Sequence, residues 1–74
     1  MDKEINEFLK KEFSYRIQEW VQLINEIENQ FSYELFDKIQ HIEEVITTAV
    51  RYKFSEKPDA TLKTYRYMES LLEI

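Results

Sequence analysis

Glycine and cysteine are absent from this 74-residue chain, and Pro58 is its only proline. Each absence excludes something. Without glycine there is no residue at ease with positive φ, so tight hairpins and glycine-rich phosphate loops are ruled out. Without cysteine there are no disulfides and no thiolate metal sites. A single histidine, His41, cannot build a histidine-rich metal centre within one chain. No run approaches the roughly 18–20 apolar residues needed to span a bilayer. The opening MDKEINEFLKK is acidic and mixed, unlike a secretory leader, so a cytoplasmic protein is expected.

The residues present are those of a folded helical protein. Hydrophobic residues make up 43% of the chain, too many for a disordered segment, and eleven are aromatic. Formal charge is −5. Residues 1–44 hold five basic and eleven acidic side chains, against five and four in residues 45–74. Clustered cations are what phosphate contacts need, so nucleic-acid binding by the whole surface is disfavoured.

Periodicity divides the chain into three helical segments of one domain spanning 1–74. Ile5, Leu9, Phe13, Ile17, Trp20, Ile24, Ile27 and Phe31 recur every three or four residues and predict a first helix over about 2–30. At 1.5 Å per residue it would be roughly 43 Å long. Ser32 has the chemistry of an N-cap, with Phe31 and Phe36 placed as a hydrophobic staple, so a second helix is expected over about 33–54. The alternative is a single rod with no turn at 29–32. Leu35, Ile39, Ile42, Ile46 and Ala49 form the inner row of the second helix. Pro58 suits a first helical position, and a third helix follows over about 58–73, with Tyr65, Met68 and Leu72 in one row and Tyr67, Leu71 and Ile74 in another. The expected fold is all-α: an antiparallel three-helix bundle, a long helical hairpin plus a shorter C-terminal helix, in a dimeric arrangement.

Dimerisation is expected for two reasons. A chain this small buries only about 60% of the surface its unfolded form exposes, which leaves a lone core marginal. The apolar faces are also wider than a bundle requires. Phe8 and Tyr15 lie off the main stripe, as do Val45 and Tyr52 on the second helix and Tyr67 and Leu71 on the third. This surplus either walls a small core or forms a protein-binding surface. The contact residues expected on the second reading are Phe8, Tyr15, Tyr52, Arg66 and Tyr67.

Other constellations carry less chemistry. His41 and Glu44 form one reversed half of a di-metal helix motif, and solvated side chains are the expectation. Glu26, Glu28, Glu43, Glu44, Glu69 and Glu73 read as a solvated acidic face. Arg16 projects among Leu9, Phe13, Ile17 and Trp20, where its stem can snorkel. Arg51-Tyr52-Lys53 and Lys63-Thr64-Tyr65-Arg66-Tyr67 interleave cations and rings, as single-stranded nucleic-acid sites do, but five cations among four acids make a weak funnel.

The sequence therefore points to a non-enzymatic, small acidic protein-binding module without cofactor or metal. It would be an inhibitor or regulator of the immunity, antitoxin or phage-factor type that occludes a partner protein. The acidic first half would suit a partner with a basic surface, with a homodimer also expected. The alternatives are a homo-oligomeric assembly subunit and, below it, nucleic-acid binding through residues 51–67.

Overall fold

Asp2 opens the first helix in the computed structural model, which describes residues 2–73: its carboxylate accepts from the Ile5 amide at 3.1 Å. The chain then forms α1 (Lys3–Glu12), α2 (Ser14–Asn29), α3 (Tyr33–Lys53) and α4 (Ala60–Ser70), closed by a 3-10 turn at Leu71–Glu73. No strand occurs among the described residues.

The expected 2–30 rod is two helices. Phe13 leaves the helical basin, at φ −128° and ψ 17°. Its amide still donates to the Leu9 carbonyl at 2.8 Å, and its carbonyl accepts from Ile17 at 2.9 Å. The Ser14 hydroxyl donates to the Lys10 carbonyl, the acceptor that a continuous helix would give to the Ser14 amide. Serine bonding back to the preceding turn is a known cause of helix bending. The bend has a packing consequence. The molecule measures 38 × 23 × 19 Å, shorter than the 43 Å rod alone. Instead of projecting past its neighbours, α1 lies against α4.

Phe8 explains how the bend is held. Its ring meets Phe13 edge-on at 5.8 Å and Phe54 edge-on at 5.6 Å, with the Lys53 ammonium 5.8 Å from its centre. Such ring pairs contribute about 0.5–1.5 kcal/mol each beyond their buried area. Phe54 itself is buried at the C-cap of α3.

The turn between α2 and α3 matches expectation. The Ser32 hydroxyl accepts from the Leu35 amide at 3.3 Å, which caps α3 and excludes the unbroken rod. At the other end, α3 stops at Phe54. The Lys57 amide donates to the Phe54 carbonyl and the Ala60 amide to the Lys57 carbonyl, so Pro58 lies in the turn rather than at the first position of α4. Asp59 takes the N-cap position, with its carboxylate 3.4 Å from Lys63.

All four helices line one core. Ile5 and Leu9 enter from α1, Ile17, Trp20 and Leu23 from α2, Ile39, Ile42, Ile46 and Val50 from α3, and Ala60 and Met68 from α4. Ile74, expected in the outer row of the last helix, lies outside the described residues. A polar tie crosses the core edge. Trp20 Nε1 donates to Glu43 Oε2 at 2.9 Å, and the Tyr65 hydroxyl donates to Glu43 Oε1 at 3.2 Å. One carboxylate thus joins α2, α3 and α4, which corrects the expectation of a solvated Glu43. Burial, followed by the charge of Glu43, raises the Tyr65 hydroxyl above its ordinary pKa.

Removing this acceptor leaves two donors without their partner. Glu43→Ala lowers unfolding stability by about 1–3 kcal/mol, whereas Glu44→Ala on the exposed face changes it by less than about 0.5 kcal/mol. Urea denaturation of the two variants against the parent measures the difference.

Candidate functional site

Three surface features remain once the core is closed. The first is a groove between α1–α2 and α4. Tyr67 and Leu71 are half-buried in it, because α4 turns one edge towards α1 where the bend has placed it. At one end a cavity of about 270 Å³ is lined by Asp2, Asn6, Lys63, Arg66, Tyr67 and Ser70. Beyond Tyr67 the groove continues past Lys10 and Ser14 to Gln18 and Val21. Lys3 and Glu7 stand on the α1 side.

Asp2 locks the end of this groove. Its carboxylate lies 2.9 Å from Lys57 Nζ and 3.5 Å from Lys63 Nζ, while Lys57 also reaches Glu4 at 3.4 Å. The hydrogen bond from Lys57, then that from the Ile5 amide, lowers the Asp2 pKa to about 2. The same pair raises that of Lys57. Asp2 therefore caps α1 and ties it to the α3–α4 turn and to α4.

The second feature is the outer face of α3. His41, Glu44, Val45, Thr48, Ala49 and Tyr52 line one shallow depression, at the three- and four-residue steps that share a helical face. Tyr52 is 89% exposed, so its ring stands almost wholly in solvent at the end of an apolar strip formed by Val45 and Ala49.

The third is the tip of the α2–α3 hairpin. The Phe31 ring lies edge-on to Tyr33 at 5.0 Å and tilted against Phe36 at 6.5 Å. The rings are 59%, 80% and 43% exposed respectively, so they pack on one another more than on the core.

These placements sort the expected contact residues. Arg66 and Tyr67 come together at the groove, one exposed and one half-buried. Tyr52 stands on the separate α3 face. Tyr15 is exposed in the first turn of α2 and lines none of these three features. Phe8 is half-buried against the core between Phe13 and Phe54, so its ring is not surplus surface. Arg16 is exposed too, with Glu19 at 4.0 Å, as a snorkelling stem near the start of α2 allows. The hairpin tip is the feature that periodicity missed. Phe31 and Phe36 do meet as a staple, but the signal of an aromatic cluster was the density of rings, three within six residues.

The remaining chemistry is spread thinly. Among the described residues, no three His, Asp or Glu side chains stand close enough to hold a metal ion. No helix there is long and apolar enough to cross a membrane. In the 51–67 region, Lys57 and Lys63 are committed to Asp2 and Lys53 lies over Phe8. Compared with protein-family models, curated proteins and solved structures, the chain matches none.

The Asp2 lock has a pH signature. Its folded pKa of about 2 lies below the ordinary value near 3.9, so the stabilisation is complete above about pH 4 and is lost as pH falls towards 2. Asp2→Asn keeps a capping side chain but loses the charge. The urea midpoint of Asp2→Asn is expected below that of the parent at pH 7, with the gap closing between about pH 4 and pH 2. A gap that stays constant across that window contradicts the lock.

Proposed function

We propose that the chain is a non-enzymatic, acidic protein-binding module, an inhibitor or regulator that occludes the surface of a larger protein partner in the cytoplasm. The observation that carries this reading is Tyr52, 89% exposed at the end of the Val45–Ala49 strip on the outer face of α3. An aromatic ring held on a regular helix is a rigid anchor, and tyrosine is among the residue types that dominate binding energy when a partner buries them. The helix carries the ring at little entropic cost, since its backbone is already fixed. A net charge of −5 steers the module towards a partner with a basic contact surface and speeds the encounter. Occlusion needs only shape and charge on the binder, which suits a chain with one histidine, no cysteine and no glycine.

A second reading, a self-assembling subunit, is favoured by the aromatic hairpin tip, which lies apart from the α3 strip. Nucleic-acid binding through residues 51–67 has weaker support, because two lysines of that region are held by Asp2.

Affinity capture from the native host tests the proposal. The parent chain retains a specific protein, Tyr52→Ala weakens its binding by about tenfold or more, and circular dichroism of the variant is unchanged. Equal binding by Tyr52→Ala and by a Val45→Glu/Tyr52→Ala double variant sinks this use of the α3 face.

A further inference from the structure

The hairpin tip and the α1/α4 groove complement each other in shape and in charge. The tip presents three exposed rings: Phe31, Tyr33 and Phe36. Its surroundings are predominantly acidic, with Lys38 the nearest cation. Between Arg16 and Lys38 the sequence has five carboxylates and no cation. Two of them are countered, Glu19 by Arg16 at 4.0 Å and Glu34 by Lys38 at 3.4 Å, both exposed pairs that water screens, which leaves Glu26, Glu28 and Asp37.

The groove has the opposite character. Although the chain carries a net −5, the part around Tyr67 is lined by Lys3, Lys10, Lys63 and Arg66 against two carboxylates, Asp2 and Glu7. Asp2 is already spent on Lys57 and Lys63. Lys3, Lys10 and Arg66 form no ion pair among the described residues. Tyr67 and Leu71 give the groove an apolar floor, half-buried and so still open to a ligand. The cavity beside Tyr67 holds about 270 Å³. An apolar cavity of about 150 Å³ is enough to bind a benzene ring, so an aromatic side chain fits.

We propose that the hairpin tip of one copy docks in the α1/α4 groove of a second copy of this chain, with the acidic end of the α2–α3 hairpin against Lys3, Lys10 and Arg66. A copy cannot fill its own groove. The tip lies at the start of α3, whereas Asp2 and Lys57 meet beyond its end, and 21 helical residues separate these ends by about 30 Å. The two surfaces are different patches, so the contact is head to tail. Repeated, it gives rings or filaments rather than a closed two-fold dimer. The inference goes beyond the binding role assigned to the α3 face, which belongs to neither patch and stays free in the assembly.

Sedimentation velocity on the full chain, with one variant for each patch, tests the contact. The tip variant is Phe31→Ala/Tyr33→Ala and the groove variant is Lys10→Glu/Arg66→Glu. At low salt the parent's mean mass rises with concentration past that of a dimer. It falls back towards that of a monomer between about 0.05 and 0.5 M salt, because the charges on both patches are exposed and screened. Each variant alone is a monomer at every concentration. An equimolar mixture gives a one-to-one dimer and nothing larger, since the intact groove of the tip variant receives the intact tip of the groove variant. Circular dichroism checks folding. If the aromatic substitutions disturb it, the charge-reversed tip Glu28→Lys/Asp37→Lys, at two exposed positions, takes their place. A parent that stays monomeric at millimolar concentration overturns the proposal, as does association that survives either patch variant alone, or a mixture that remains monomeric. Tyr52→Ala leaves the parent's association unchanged, so loss of self-assembly and loss of partner binding through α3 are separable results.

Discussion

The bend at Phe13 brings Phe8 edge-on to Phe54, and the rest of the arrangement follows from that contact. A helix of the length the apolar pattern suggests would outrun a short α4 and leave Ile5 and Leu9 in water. Folding α1 back puts both residues in the core and gives α4 a second neighbour. The Asp2 carboxylate then ties the start of α1 to Lys57 and Lys63. A chain too small to bury a large core therefore closes one by shortening its longest helix rather than by borrowing a partner at that point.

Closing the core in this way decides which surface is left over. Phe8 and Phe13 are used up at the bend, and Trp20 and Tyr65 are tied to Glu43. The rings that remain in solvent are elsewhere, on the outer face of α3, in the first turn of α2 and at the hairpin tip. The same packing separates charge. Acidic residues dominate the α2–α3 end, while α1 and α4 contribute cations to the groove they share. A small protein with two unlike ends and an exposed aromatic strip between them is suited to making contacts, and each proposed role draws on a different part of that surface.

Much of this was legible in the residues. The Ser32 cap, the Phe31–Phe36 pair, Ile39, Ile42 and Ile46 in the inner row of α3 and a break before the last helix follow from capping chemistry and helical spacing, and the structure has them, although Val50 rather than Ala49 completes the row and Pro58 lies in the turn instead of opening α4. The bend was not foreseen, because apolar spacing runs through Phe13 without a change of step. Periodicity records which residues want burial, not whether the backbone between them stays straight. Ser14 was the available clue, since its hydroxyl can occupy the carbonyl of the preceding turn. Glu43 was misplaced for a related reason. Its position on α3 looks like that of the other acidic residues until Trp20 and Tyr65, from two other helices, are brought to it. Of the five expected contact residues, Tyr52, Arg66 and Tyr67 line surface depressions, Tyr15 stands alone and Phe8 is packed into the fold.

Contact between Phe8 and Phe54 can be read directly in solution by nuclear magnetic resonance, using selectively labelled phenylalanine in a dilute, monomeric sample. Ring-to-ring cross-relaxation between the two side chains, together with a break in helical backbone shifts at residues 13–14, is the expected result for rings centred 5.6 Å apart. Unbroken helical shifts from Glu12 through Ile17, with no cross-relaxation between Phe8 and Phe54, would mean that α1 and α2 form one straight rod and that the leftover surface has been assigned to the wrong residues.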